Sequence, residues 1–413
     1  MSRVSRVSRV SRVSRVPGVR ELVVCRVRFA RVSCPWLRLG VSRVCPGSPR
    51  CLFTGFQVKS IKCLNPTGTT QTMSVLLIAL LQPTALVVQS GGRSLGTLKV
   101  SGVGLGTLNL PLGDEKPPAA AEALAAAIFA GCNFVDTAEA YGFGVSERQT
   151  RWAAEQAGVK IGCGKGELHV ATKFAPVPWR FGAESVVEAC RQSAERLGVE
   201  TIPLYQIHFP DIIQPFSALG LSRRKDEEYW EGLARCYEEG LAANVAVCNY
   251  GPTMVTRVHE FLAKRNIPLA SNQINLSLLY RKASAATVER CAQLDVPVIA
   301  YFPLANGLLA GRYDAGSMPK FPKSLTMKKY VVGGTEGYGA GYLPLLTELR
   351  RVAAARGKTV AQVSLNWCVC KGAIPIPGAR DGAMASDNLG SMGWRLDDAE
   401  VRARASRSSR FAP

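Results

Sequence analysis

The sequence predicts an α/β fold, a (β/α)8 TIM barrel with a disordered N-terminal extension, on three observations. From residue 93 onward, apolar β-type runs alternate with amphipathic or Ala-rich stretches of helical length. There are eight such runs, the number that closes a barrel. Nearly every run also ends on a polar residue, and polar residues at strand ends are where such barrels keep their chemistry.

The strand candidates are, in order, "VGLG" (103–106), "NFVDT" (133–137), "LHVATK" (168–173), "PLYQIH" (203–208), "NVAVCN" (244–249), "LASNQI" (269–274), "PVIAYF" (297–302) and "AIPIPG" (373–378). Between them lie helical stretches such as "PAAAEALAAAIFAG", "AESVVEACRQSAERLG", "EEYWEGLARCYEEG", "TMVTRVHEFLAKRN", "ATVERCAQLD" and "TVAQVSLNWCVCKG". Several of these end in Gly, a common helix C-terminus. Strands joined by crossovers of helical length must run parallel.

The 413 residues exceed a typical single domain but suit an α/β barrel, and 47% hydrophobic content supplies a large core. The formal charge of +20 is unevenly spread. Residues 1–100 hold 16 Lys/Arg and one acid, Glu21, so the remaining 35 basic and 30 acidic residues leave the body at +5. That balance argues against a nucleic-acid-binding body, which needs a clustered basic face. No pair of the 13 cysteines shows CxxC spacing, and Cys368 and Cys370 would diverge on a helix. The cysteines therefore read as reduced and mostly buried, and no metal site is expected. Of the three histidines, His169 begins a strand and His259 sits in a charged helix, so both read as structural.

Two domains are expected: a low-complexity basic extension over 1–92 and the barrel over 93–413. Residues 2–16 are five copies of "SRV", and the segment is rich in Arg and Ser and almost free of acid. This is the composition of an organelle transit peptide. The competing reading is a low-complexity repeat included by an early start codon, with Met73 as the true initiator. "VLLIALL" (75–81) is only seven apolar residues before Gln82 and Pro83. A membrane span needs about 20, so none is expected, and a short signal core beginning at Met73 stays open.

The polar residues ending the strands are Asp136, Lys173, His208, Asn249, Gln273 and Tyr301, with Tyr141 on the loop after the second strand. Taken singly, each has an ordinary reading. Tyr141 alone is better explained as a loop tyrosine on apolar neighbours, Asp136 as a cap, Lys173 as a snorkelling side chain, His208 as a core histidine. Together, at successive strand ends, they read as one site.

These stretches resemble the aldo-keto reductase superfamily. "GLGT" (104–107), "DTAEAYG" (136–142), "ATKF" (171–174), "LYQIHFP" (204–210), "NVAVCNY" (244–250), "NQINLSLLYR" (272–281), "IAYFPLANGLLAGRY" (299–313) and "IPIPGARDGAMASDNLGSMGW" (374–394) follow its pattern in order over residues 93–400. "ATKFAPVPWR" and "ASNQINLSLLYR" look like a branch found in plant and algal chloroplasts. The resemblance implies a catalytic set of Asp136, Tyr141, Lys173 and His208. Tyr141 would donate the proton, Lys173 would pull the tyrosine pKa down from about 10, Asp136 would hold Lys173 charged, and His208 would orient the substrate oxygen. The implied cofactor is NADPH/NADP+. Gly106, Thr107, Cys248, Asn249, Gln273, Tyr301, Phe302, Pro303, Leu304, Gly307, Gly378, Arg380, Met384, Asp387 and Asn388 would bind it. In this set Asn249 and Gln273 would meet the carboxamide, Tyr301 the nicotinamide ring and Arg380 the 2′-phosphate.

This sequence departs from the family at Cys248 and Phe302, where serines are usual, and at Met384 and Asp387, where Gln and Glu are common. The Gly-rich "YVVGGTEGYGAGY" (330–342) reads as a mobile cover. Phe174, Trp179 and Phe209 are expected to line an apolar pocket mouth. The implied activity is NADPH-dependent reduction of an aldehyde or ketone, acting on a small-molecule carbonyl substrate without nucleic acid, as a monomer or an oligomer. A second reading is a cofactor-binding regulatory subunit like the potassium-channel β-subunits, which share this fold. The resemblance and the basic N-terminus together suggest a plastid location, or the cytoplasm if translation starts at or after Met73.

Overall fold

The computed structural model describes residues 61–64, 70–73, 92–108, 117–211, 225–314 and 339–401. Strands β1 (Ile61–Leu64) and β2 (Thr70–Met73) pair antiparallel inside a unit spanning Met1–Ala79. Apart from this hairpin, the expectation for residues 1–92 lies outside the described residues.

In the second unit, Leu80–Pro413, all eight expected strands form. They are β5 (Leu105–Gly106), β6 (Phe134–Asp136), β7 (His169–Phe174), β8 (Leu204–Ile207), β9 (Val245–Cys248), β10 (Leu269–Asn275), β11 (Val298–Tyr301) and β12 (Ile374–Pro375). Each pairs in parallel with its neighbours in chain order. The first and last strands meet: Gly104 N–H donates to Pro375 O and Gly106 N–H to Pro377 O, both at 3.0 Å. A parallel bridge joins Gly106 to Gly378, so the sheet closes into a barrel. Closure depends on glycine, because a Cβ on Gly106 would stand 2.8 Å from the Ile376 carbonyl oxygen.

The two-residue period of the strands sorts the interior into layers. Phe134, Ala171, Leu204, Ala246, Ile299 and Ile374 form an apolar layer. Two residues later along their strands stand Asp136, Lys173, Gln206, Cys248 and Tyr301. A hairpin that the sequence reading did not foresee, β3 (Arg93–Leu95) and β4 (Leu98–Val100), adds Leu95, Leu98 and Val100 to the apolar layer. It is fastened at strand starts: Asn244 Oδ1 accepts from Thr97 N–H at 2.8 Å, and Asn133 Oδ1 from Ser101 N–H at 2.7 Å. The hairpin therefore caps the amino-terminal end of the barrel and leaves the carboxyl end open.

The opposite strand faces pack on helices α1 (Pro118–Phe129), α2 (Val145–Gln156), α3 (Gly182–Leu197), α4 (Asp226–Glu238), α5 (Pro252–Ala263), α6 (Arg281–Gln293), α7 (Gly339–Arg356), α8 (Val360–Cys370) and α9 (Gly382–Leu389). Local signals explain several ends. Gly198 closes α3 in the left-handed region, three acids open α4 where the helix dipole favours them, and Thr359 with Gln362 forms a capping box on α8. Helix α2 escaped the sequence reading because its inner face is polar: Ser146, Glu147, Gln149 and Thr150 are buried and blur the apolar stripe. Helix α7 begins inside the stretch read as a mobile cover. Residues 339–342 are helical, and the Tyr342 hydroxyl lies 2.8 Å from both Leu308 O and Tyr313 O, which share its one proton. Residues 330–338 lie outside the described residues. Among the described cysteines, Cys132, Cys190, Cys236, Cys248, Cys291 and Cys368 are free and buried. No described helix is long and apolar enough to cross a membrane.

Candidate active site

The open end of the barrel holds a cavity of about 610 Å³. Its floor is the polar layer. Lys173, on β7, has no solvent exposure, and its Nζ donates to Asp136 Oδ2 at 2.6 Å, to Thr137 O at 2.7 Å and to Tyr141 Oη at 3.3 Å. The other carboxylate oxygen, Asp136 Oδ1, accepts from Gln206 Nε2 at 3.2 Å and Gln273 Nε2 at 2.7 Å. The carboxylate is thus saturated and fixed, as a buried charge must be. Burial weighs against the Lys173 ammonium, but Asp136 and Tyr141 outweigh it and its pKa lies above the usual lysine range.

Tyr141 differs from expectation. Burial raises its pKa more than Lys173 lowers it, so the net direction is upward and the phenol keeps its proton at neutral pH. The Tyr141 and His208 rings stand edge to face with centroids 5.7 Å apart. Burial, helped by the charge on Lys173, pushes the His208 pKa down to about 3, so the imidazole is neutral. His208 Nδ1 is buried without a hydrogen-bond partner among the described residues. The floor therefore presents a protonated phenol beside a neutral imidazole, both on the cavity wall.

The cavity continues past Asn249, Gln273 and Tyr301 to Gly378 and Arg380 at the start of α9. Tyr301 Oη donates to Asn249 Oδ1 at 2.7 Å, and Asn249 Nδ2 donates to His208 O at 2.9 Å. Asn249, Phe302, Ala305 and Asn306 all have left-handed backbone, with φ of 63°, 48°, 47° and 55°. Such conformations cost on the order of 1–3 kcal/mol each and gather at functional sites. At the far end, Asn388 Nδ2 donates to Gly378 O at 3.2 Å, and Asp387 Oδ1 accepts from Gln362 Nε2 at 3.0 Å.

Of the residues named from the sequence, Asp136, Tyr141, His208, Gly106, Thr107, Asn249, Gln273, Tyr301, Phe302, Pro303, Leu304, Gly307, Gly378, Arg380, Met384, Asp387, Asn388 and Phe209 share this cavity. Four do not line it. Lys173 lies beneath Tyr141, and Cys248 lies behind Gln206, its Sγ 3.4 Å from Gln206 Oε1. Phe174 is one step out of phase with Lys173, so strand alternation turns it outward. It packs on Tyr229 with centroids 5.2 Å apart and is fully buried. Trp179 lies on the following loop, 73% exposed and away from the wall. An apolar mouth built on Phe174 and Trp179 is thus corrected; among the three aromatics only Phe209 lines the cavity.

The sequence reading missed Gln206 and Arg312. Gln206 sits two residues before His208 on the same strand face, so alternation alone would have found it. Arg312 lines the cavity beside Met384, its Nη2 3.8 Å from the thioether sulfur. It is the first cation after the Gly307 loop, a signal available in the sequence.

Comparison with known proteins agrees with this architecture. A sequence model described as the aldo/keto reductase family matches residues 102–406. The chloroplastic pyridoxal reductase of Arabidopsis thaliana is 34% identical over 358 residues, covering 83% of this chain and 90% of that protein. The Schizosaccharomyces pombe aldo-keto reductase yakc [NADP(+)] is 26% identical over 326 residues, 75% of this chain and 89% of that protein. The solved structure of a glycerol dehydrogenase from Gluconobacter oxydans matches with a TM-score of 0.65 at 26% identity, covering 78% of this chain and 96% of that one. With the closed barrel, the polar floor and a family match over most of its length, this chain belongs to the aldo/keto reductase family of oxidoreductases.

Proposed function

We propose that the protein is an NADPH-dependent reductase of aldehydes or ketones in which Tyr141 donates the proton. The observation carrying this reading is the Asp136–Lys173–Tyr141 chain, at 2.6 and 3.3 Å, on the floor of a cavity that extends to Arg380. The residues present suit the nucleotide. Arg312 and Arg380 both reach the far end of the cavity, and neither forms an ion pair among the described residues. The start of α9 lies beside them, a place where anionic groups are stabilised. Arg380 and Arg312 would hold the phosphates, Asn249 and Gln273 the amide, and Tyr301 the ring. When bound, NADPH supplies the hydride.

The chain's own residues handle the proton. A carbonyl oxygen gaining negative charge takes the Tyr141 hydroxyl proton, and the phenolate left behind faces the Lys173 ammonium. Neutral His208 can donate a hydrogen bond to that oxygen without competing for the proton. Solvent then restores the phenol. An apolar substrate end would meet Phe209 at the wall. The name of the Arabidopsis relative places pyridoxal among the aldehydes worth trying. The same relative, with the acid-poor composition of residues 1–92, supports a plastid protein whose extension is removed and whose catalytic body is residues 93–413. N-terminal sequencing of the native protein tests that boundary; an intact Met1 would refute it.

The test of function is NADPH oxidation by the full chain over a panel of aldehydes that includes pyridoxal, with Tyr141→Phe in parallel. Turnover should fall at least about a hundredfold in the variant, the usual scale for a positioned acid. Tight NADPH binding with no turnover on any aldehyde would instead support the regulatory-subunit reading.

A further inference from the structure

A ladder of alternating charges, its carboxylates buried and its arginines half-buried, brackets the Tyr141–Lys173 contact and takes no part in the chemistry just described. Glu147, on the first turn of α2, is fully buried and accepts from Thr172 Oγ1 at 2.6 Å and Arg196 Nε at 2.5 Å. Burial pushes the Glu147 carboxyl up and Arg196 opposes it. Arg196 Nη2 lies 4.0 Å from Glu139 Oε2. Glu139, 8% exposed, receives both ends of the Arg180 guanidinium, Nη1 in a close contact and Nη2 at 3.1 Å, and also the Ala175 N–H at 2.7 Å. Arg180 is held in turn, its carbonyl oxygen accepting from Lys225 Nζ at 2.8 Å and Tyr229 Oη at 3.0 Å.

The spacing of these anchors is informative. Glu139 and Glu147 flank Tyr141 in the chain, while Thr172 and Ala175 flank Lys173. Each carboxylate therefore ties the tyrosine segment to the lysine strand, one on either side of the 3.3 Å contact. The tyrosine segment needs such ties. Gly142, Phe143 and Gly144 follow Tyr141 with φ of 63°, 53° and 86°, and Phe143 is 95% exposed. Local backbone bonds close this turn, Gly144 N–H to Glu139 O at 2.7 Å and Ser146 N–H to Tyr141 O at 3.2 Å, but they join the segment to itself and not to the lysine strand.

We propose that Glu139 is a positioning residue for the proton-donating tyrosine, with Arg180 as its clamp and the Arg196–Glu147 pair as the second tie. The inference rests on the proposed reductase reading and deepens it. Without the Glu139 charge the fork opens, the tyrosine segment relaxes and Tyr141 withdraws from Lys173. A misplacement of about 1 Å at a reacting group can cost on the order of a hundredfold in rate.

The experiment compares full-length Glu139→Gln and Arg180→Lys with the parent. In Glu139→Gln, kcat should fall at least about tenfold with KM for NADPH within about twofold, a split that loss of fold would not produce. The alkaline limb of the pH–rate profile should move upward, because a phenolate further from Lys173 is less stabilised. Arg180→Lys keeps the charge but loses the fork and should shift both readouts less, in the same direction; it serves alone if Glu139→Gln does not fold. A folded variant with parental kcat and limb, or a loss confined to KM or to melting temperature, overturns the proposal. If the parent shows no turnover, the reductase reading fails separately. The ladder is then judged by the Tyr141 ionisation midpoint, taken as the absorbance difference between each protein and its Tyr141→Phe form. An upward shift supports the positioning role and an unmoved midpoint overturns it.

Discussion

Replacing Lys173 by Met tests whether the buried floor is a coupled charge pair rather than a set of independent contacts. The ammonium is wholly buried and makes three bonds, at 2.6, 2.7 and 3.3 Å. At an effective dielectric of about 20, charges 2.6 Å apart attract by roughly 6 kcal/mol. Desolvation of both ions offsets much of this, so the pair adds little to stability when intact. Removing one partner is different, because Asp136 is left charged and 2% exposed with only the two glutamine amides as donors. The expected cost is about 3–5 kcal/mol. For a body of this size, with an unfolding entropy of about 0.7 kcal/mol/K, that corresponds to a fall in Tm of roughly 4–8 °C. The double variant Asp136→Asn with Lys173→Met removes both charges and should recover about half or more of that loss, while reductase activity stays absent in both. Thermal unfolding of the four proteins of the cycle measures the coupling. Strictly additive losses, or a single-variant cost below about 1 kcal/mol, would refute the reasoning.

Two further expectations concern the cavity ends. Arg380→Gln should raise KM for NADPH about ten- to hundredfold, since a charge-assisted hydrogen bond is worth about 1.5–3 kcal/mol, and should change NADH use much less. Equal effects on the two cofactors would remove Arg380 from the 2′-phosphate. With the His208 pKa pushed down to about 3, the pH–rate profile should lack a limb near 6.5, where a free histidine titrates. Because the folded state disfavours its protonation, stability present above about pH 6.5 should decline as pH falls below that value. A kinetic limb between pH 6 and 7 that disappears in His208→Gln would contradict the burial argument.

The alternating segments, the strand-end polar residues and most of the cavity wall were legible in the sequence. Strand period, helix ends and turn glycines are local properties, and each leaves its mark within a few residues. Their order along the chain then determined the parallel barrel. What escaped was non-local. Gln206 was within reach of strand alternation from His208, whereas the outward turn of Phe174 shows only once it is known which face of β7 looks inward. Helix α2 was hidden because its buried face is polar, and the charged member of that face, Glu147, finds its partners on β7 and α3 far away in the chain. The upward direction of the Tyr141 pKa follows from burial outweighing Lys173, a balance set by how tightly the floor packs. Glu139 and Arg180 are 41 residues apart, and nothing in either neighbourhood marks them as a pair. The sequence by itself determined which elements form and which chemistry stands at their ends. Only the tertiary structure decided which groups meet, because burial, charge compensation and side-chain direction arise when distant segments share one interior.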